Sequence, residues 1–465
     1  MKKKLLLLVA AIALALLVPA AVMAQSPGGL AYTSGIQVVN LDSTTASIGL
    51  TYYNQDGSEA ATAVDTIGGN SSKTYFPIQA NPGFNGSLVI SSDKPITAIA
   101  NTITTDNKYG AATTSFSSGA TSVNLPLVMC NNNGFNTWFN VQNTGSSTAS
   151  VTINYTAGSD GVNGSENANI EPGAAKTFDQ AAGSSTKNCG TLGTPKFIGS
   201  ATVTSNQPVA VTLMQLGTGG FNILMGYNGF TSASSEVALP LIMANNSGYY
   251  TGMQIQNAGN SATTATVDYG ANLGGSYNPP NDTCNLDPGE SCTLIQNSGP
   301  WTGNKFVGSA TVSASGELVV IVNQVSLGSG GKGPFGTAYE GFDPSVATNN
   351  IIAPLIMANN SGYYTGVQVM NVGGSACSVS MDYGPNTQGG FNPATENFSI
   401  DPDESWTVIQ QGSSPANGGS NNWGTNKYVG SAEISGTGSC ELIAIINEAA
   451  SLAGDNLFTY IGYNH

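Results

Sequence analysis

Few side chains in this sequence can do chemistry, and their types restrict which chemistry is open. The one histidine is the final residue, His465, and all 12 basic residues are lysines. His-dependent triads, His-ligated metal centres and arginine clamps on phosphate therefore lack their side chains. Two carboxylates suffice for glycoside hydrolysis. Glu171, Asp287 and Asp401, however, each stand before a proline in a recurring turn, where an acidic residue serves turn chemistry. There is no glycine-rich phosphate loop with its lysine, and the recurrent Gly-Ser-Ala lies inside a strand pattern, not at a strand-to-helix elbow. No nucleophile or base can be named, so the chain reads as a protein other than an enzyme. A formal net charge of -15 with no basic stripe also argues against nucleic acid as a partner.

Two further groups of residues are candidates for binding. Asp282, Asp287, Asp343, Asp401 and Asp403 offer hard oxygens of the kind calcium prefers, although no EF-hand or other calcium-loop spacing organises them. Tyr249-Tyr250 and Tyr363-Tyr364 recur beside a turn, with Phe135 and Trp138 in the matching stretch. Adjacent residues of a strand point to opposite faces, so one tyrosine of each pair is expected at the surface or at an interface, stacking on a sugar or on a neighbouring module.

The elements that must position these residues are repeats. Lys2, Lys3 and Lys4 precede an apolar run from Leu5 to Leu17, followed by Pro19 and Val22-Met23-Ala24. This is the pattern of a signal peptide, and cleavage is expected after Ala24, leaving no membrane span in the mature chain. Beyond it, Leu-Pro-Leu-Val-Met, Leu-Pro-Leu-Ile-Met and Ala-Pro-Leu-Ile-Met place prolines at 126, 240 and 354, at intervals of 114 residues. Gly-Ser-Ala recurs at 199, 308 and 430, with Gly86-Ser87-Leu88 as an earlier version. Gly35-Ile36-Gln37-Val38-Val39-Asn40 likewise matches Gly252 to Asn257 and Gly366 to Asn371. Four modules result: 25–122, 123–236, 237–350 and 351–465. A unit of this length buries its own core, so these are tandem domains and not a solenoid.

Within a module the apolar period is two: Val151, Ile153 and Tyr155 alternate with Thr152 and Asn154. Turns are expected at Ser92 to Pro95, Ser205 to Pro208, Ser315 to Glu317 and Gly436 to Gly438. No stretch after residue 24 shows a capped amphipathic helix. The fold class is therefore all-β: four tandem immunoglobulin-like β-sandwich modules. With its recurring Pro-Leu-Ile-Met and Gln-Val-x-Asn segments the chain resembles tandem immunoglobulin-like repeat proteins of the bacterial cell surface, of the surface-layer, sheath or filament type. That resemblance implies architecture and carries over no catalytic residue.

The chain has one fewer Pro-Leu-Ile-Met strand than it has modules. If that strand belongs to the module that follows it, the first module has an incomplete edge; if it belongs to the module before it, the fourth module does, and such an edge invites strand addition from a neighbour. The expected function is that of an exported structural protein, a subunit of a surface layer, sheath or extracellular filament that assembles with identical subunits. The alternative is a carbohydrate-binding adhesin that meets cell-envelope glycans through its repeated aromatics.

The six cysteines fall two to a module, as Cys130 and Cys189, Cys284 and Cys292, and Cys377 and Cys440. In an exported chain that pairwise placement implies one disulfide within each of these modules. Mass spectrometry of nonreduced peptides should recover all three pairs; free thiols at the six positions would contradict the expected export.

Overall fold

The computed structural model describes residues 27–81, 83–181, 196–328, 333–450 and 452–464. The signal-peptide segment, Cys189 and His465 lie outside the described residues. Nearly all the regular structure is β-strand, with only three short 3-10 turns and no α-helix among the described residues. The strands form paired sheets, module by module.

In the second module the strand Phe197–Gly217 belongs to both sheets. Its first half pairs with Ala120–Cys130 on one side and Ala149–Asp160 on the other. Its second half pairs with Phe135–Asn143 and Ile223–Asn228. The third module repeats this arrangement around Phe306–Ser326. In the fourth module the two halves are separate strands, Tyr428–Gly436 and Leu442–Ala450. The first module uses Gly86–Ser92 and Ile96–Thr104 in the same places.

The turns expected at 205–208 and 315–317 are therefore not breaks. There the backbone stays extended while it crosses from one sheet to the other, and the register with Ala120–Cys130 shifts between Thr204 and Val209. Pro208 sits at this crossing, where its missing N–H costs the ladder least. At Ser92 to Pro95 and Gly436 to Gly438 the strand does end.

The period-two pattern becomes the core. Val151, Ile153 and Tyr155 face inward and are at most 2% exposed. They meet Val203, Val211 and Leu213 from the long strand in one cluster. Each module also buries one asparagine at the end of the strand that carries, or corresponds to, Gln-Val-x-Asn: Asn40, Asn143, Asn257 and Asn371, all 0% exposed. Asn257 Nδ2 donates to the Ser261 and Leu286 carbonyls at 2.8 and 3.1 Å, and its Oδ1 accepts from Gly259 N–H at 2.9 Å. The other three make the same set of contacts. An amide has both donors and acceptors, so one side chain satisfies a tight turn and the start of the next strand pair together.

The Pro-Leu-Ile-Met strands belong to the modules that follow them, since they pair with Phe197–Gly217, Phe306–Ser326 and Tyr428–Gly436. Each has a register irregularity close to its proline. A buried tyrosine spans that irregularity: Tyr227, Tyr339 and Tyr460 donate to the carbonyls of Leu127, Leu241 and Leu355 at 2.9, 2.7 and 2.6 Å.

The four modules close into a ring. The strands Gly110–Thr114, Ile223–Asn228, Phe335–Glu340 and Leu457–Ile461, one from each module, pack in succession about a common axis, and the last packs on the first. Tyr463 Oη of the fourth module also donates to the Ala98 carbonyl of the first at 3.2 Å. Asn257→Ala would orphan the buried Leu286 carbonyl, the Ser261 carbonyl and the Gly259 N–H, and should lower unfolding free energy by about 2 kcal/mol; denaturant unfolding of the purified variant measures it.

Candidate functional site

The ring axis holds the most unusual polar group in the structure. Asp455 is 2% exposed, and its carboxylate accepts the backbone N–H of Leu224 at 2.7 Å and of Gly336 at 2.8 Å. The N–H groups of Gly110 and Leu457 donate to it as well. Gly110, Leu224, Gly336 and Leu457 hold matching positions near the starts of the four axial strands, so one carboxylate gathers one amide from every module. Burial pushes the Asp455 carboxyl up, against the four amides that favour its ionised form.

Contacts between modules repeat as regularly as the sequence does. The serines of the first three Gly-Ser-Leu or Gly-Ser-Ala landmarks each donate to a carbonyl in the acidic turn of the next module. Ser87 Oγ reaches Gly173 at 2.5 Å, Ser200 Oγ reaches Gly289, and Ser309 Oγ reaches Asp403 at 2.6 Å. Reciprocal amide pairs lie closer to the axis. Gln215 and Asn323 exchange bonds of 2.9 and 2.8 Å between modules two and three, and Gln324 and Asn447 exchange bonds of 3.2 and 2.8 Å between modules three and four.

Where the fourth module meets the first, the same register positions are occupied by Glu448 and Asn101. Among the described residues neither Glu448 Oε1 nor Asn101 Oδ1 has a hydrogen-bond partner. Both atoms are buried acceptors left without a donor. Burial pushes the Glu448 carboxyl up to about 7, and the titratable groups that feel its charge are Tyr363 and Tyr460.

The residues singled out from sequence are dispersed over this frame. Tyr249 stacks on Phe335 at 6.2 Å, whereas Tyr250 is half-buried against a core cluster that joins second-module residues to Ile321, Val325 and Ala338 of the third. Tyr363 Oη donates to Asn456 at 2.9 Å, and Tyr364 is half-buried. Phe135 packs on Phe221, and Trp138 is buried against Tyr32 of the first module, with ring centroids 5.6 Å apart. Two other tryptophans, Trp301 and Trp423, lie in the aromatic cores of modules three and four.

Among the acidic candidates, Asp282 accepts from Tyr269 Oη at 2.7 Å and Asp343 caps a 3-10 turn by accepting from Ser345 N–H. Asp287 and Asp401 are exposed turn residues. Asp403 is exposed too, and burial together with the charge of Asp268 raises its carboxyl. Among the described residues no three His, Cys, Asp or Glu side chains converge as a metal site. Cys284–Cys292 and Cys377–Cys440 are disulfides, whereas the partner expected for Cys130 lies outside the described residues. Such bonds belong to oxidising compartments. No helix among the described residues is long and apolar enough to cross a membrane.

The chain matches no family model and no curated protein. Among solved structures, the crystal structure of Thermotoga maritima 1070 is similar over 24% of this chain and 94% of its own, at 23% identity and a TM-score of 0.19. The native conformation of E. coli alpha-2-macroglobulin aligns with 92% of this chain and 28% of its own, at 10% identity and a TM-score of 0.11. At such scores neither likeness bears on what this chain does.

The ring closure should depend on pH. Folding raises the Glu448 carboxyl from 4.5 to about 7, so the folded chain keeps a proton that the unfolded chain releases. The stability from this group is full below about pH 4.5 and is lost as pH rises through about 7. Glu448→Gln would restore the amide pair of the other junctions. At pH 8 it should be more stable than the parent by up to roughly 3 kcal/mol, and at pH 4 the difference should vanish; thermal unfolding at both pH values measures this.

Proposed function

We propose that the chain is an exported structural protein, a subunit of a surface layer, sheath or extracellular filament built from immunoglobulin-like modules. The observation that carries this reading is the use made of the repeats. The serine landmarks of the first three modules, the acidic turns and the Gln–Asn pairs all hold one module to the next. Repetition spent on contacts between modules builds a scaffold. Glu171, Asp287 and Asp401 sit one to a module in exposed turns, which favours turn chemistry over a paired-carboxylate site. The disulfides fit a chain matured outside the reducing cytoplasm, and self-association with identical subunits follows from the role.

Protein purified from the cell exterior and imaged by negative stain should form ordered sheets or fibres. Monodisperse particles that bind envelope glycans, and lose that binding when Tyr364 is changed to Ala, would favour the adhesin instead.

A further inference from the structure

We propose that the open edge of the first module is an acceptor slot for an extended, uncharged apolar strand donated by another polypeptide, seated where each other module holds its own Pro-Leu-Ile/Val-Met strand.

Among the described residues the first module has one strand fewer than the others. Its Gly86–Ser92 strand ends a three-stranded sheet and, among the described residues, pairs only with Ala46–Asn54. The equivalent segments of the other modules have a Pro-Leu-Ile/Val-Met strand on that side. The effect on packing is direct. Ala201 and Val203 of the second module, and Ile434 of the fourth, are 0% exposed. Their counterparts in the first module, Leu88 and Ile90, are only partly buried. The space opens into a cleft of about 2220 Å³, lined by Tyr52, Leu88, Ile90 and Ala98 of the first module and by Trp138 and Met214 of the second.

The occupant can be read from the other three slots. At the later junctions the Pro-Leu-Ile/Val-Met strand also touches the following module: Ala120–Cys130 packs on Tyr249–Asn257, and Ser234–Ala244 on Tyr363–Asn371. The open slot continues that same interface, because the second module presents Trp138 and Met214 to it from the equivalent strands. No Asp, Glu or Lys is among the residues lining the cleft, and Val237 to Ala244 carries no charge either. A strand entering here would gain ladder hydrogen bonds from a free edge and bury apolar side chains on alternate positions.

One difference is built in. The tyrosine that clamps the strand elsewhere is Thr113 here, so the donated strand is held by its ladder and by burial without that hydroxyl. The inference goes beyond the assembly reading, and the slot exists whether or not the chain forms sheets or fibres.

A synthetic peptide with the sequence Val237–Ala244 should bind the purified chain saturably, with a Kd on the order of micromolar, and should raise its melting temperature. Leu88→Asp, at a partly buried position that leaves the remaining core intact, should weaken binding at least about tenfold; its own melting curve checks that it folds. A scrambled peptide should not bind. Absence of saturable binding, or binding unchanged by Leu88→Asp, overturns the proposal. It is also overturned if cross-linking from Ser91→Cys recovers a second copy of the chain, or residues 1–26, already on that edge. Loss of fibres in the imaging experiment with peptide binding intact would reject the assembly reading and leave the slot standing.

Discussion

One buried carboxylate is the point on which the ring depends. Asp455 belongs to the fourth module, yet the amides it accepts come from all four. Each of these N–H groups begins an axial strand and points at the axis, where no water-filled surface is at hand to satisfy it. A buried donor without a partner costs about 1–3 kcal/mol, so four of them converging on one point would oppose closure. An acceptor with two oxygens resolves the conflict for all four at once. The matching positions in the other modules are Lys108, Asn222 and Pro334, so the near-symmetry of the ring is broken by a single acidic residue.

Around that point the junctions are alike but not identical. Modules two to three and three to four share the serine contact and the reciprocal amide pair. The closing junction replaces glutamine with Glu448, and the first junction has Thr102 and Met214 at those positions, with Trp138 packed on Tyr32. The two departures flank the first module, which also lacks a Pro-Leu-Ile/Val-Met strand and the tyrosine that clamps it. Loss of the strand and loss of the clamp go together, because the tyrosine hydroxyl serves only the irregular backbone near the proline.

Much of the module was legible in the sequence. Alternation at Val151, Ile153 and Tyr155 marks a strand because side chains on a pleated backbone face opposite sides, and the recurrence of Gly-Ser-Ala and Pro-Leu-Ile-Met marks equivalent places. The continuous strands through Ser205 to Pro208 and Ser315 to Glu317 were not legible, since turn-forming residues also suit an extended crossing between sheets. The ring was not legible either. Its donors at Gly110, Leu224, Gly336 and Leu457 are main-chain groups, which leave no mark in residue type, and they are far apart in the chain. Asp455 by itself looks like an ordinary loop acid. The tyrosine pairs showed that one ring of each must leave its own core, but a neighbouring module and a sugar are recognised by the same aromatic surface.

The central claim is that the four modules form a closed ring and not a string. Small-angle X-ray scattering of the monomeric chain in solution tests it most directly. A closed ring predicts a radius of gyration close to the value for a compact chain of this length, about 22 Å, and a pair-distance distribution with a single peak. Modules strung end to end would give a radius roughly twice as large and an extended tail in that distribution, and such a result would contradict the account.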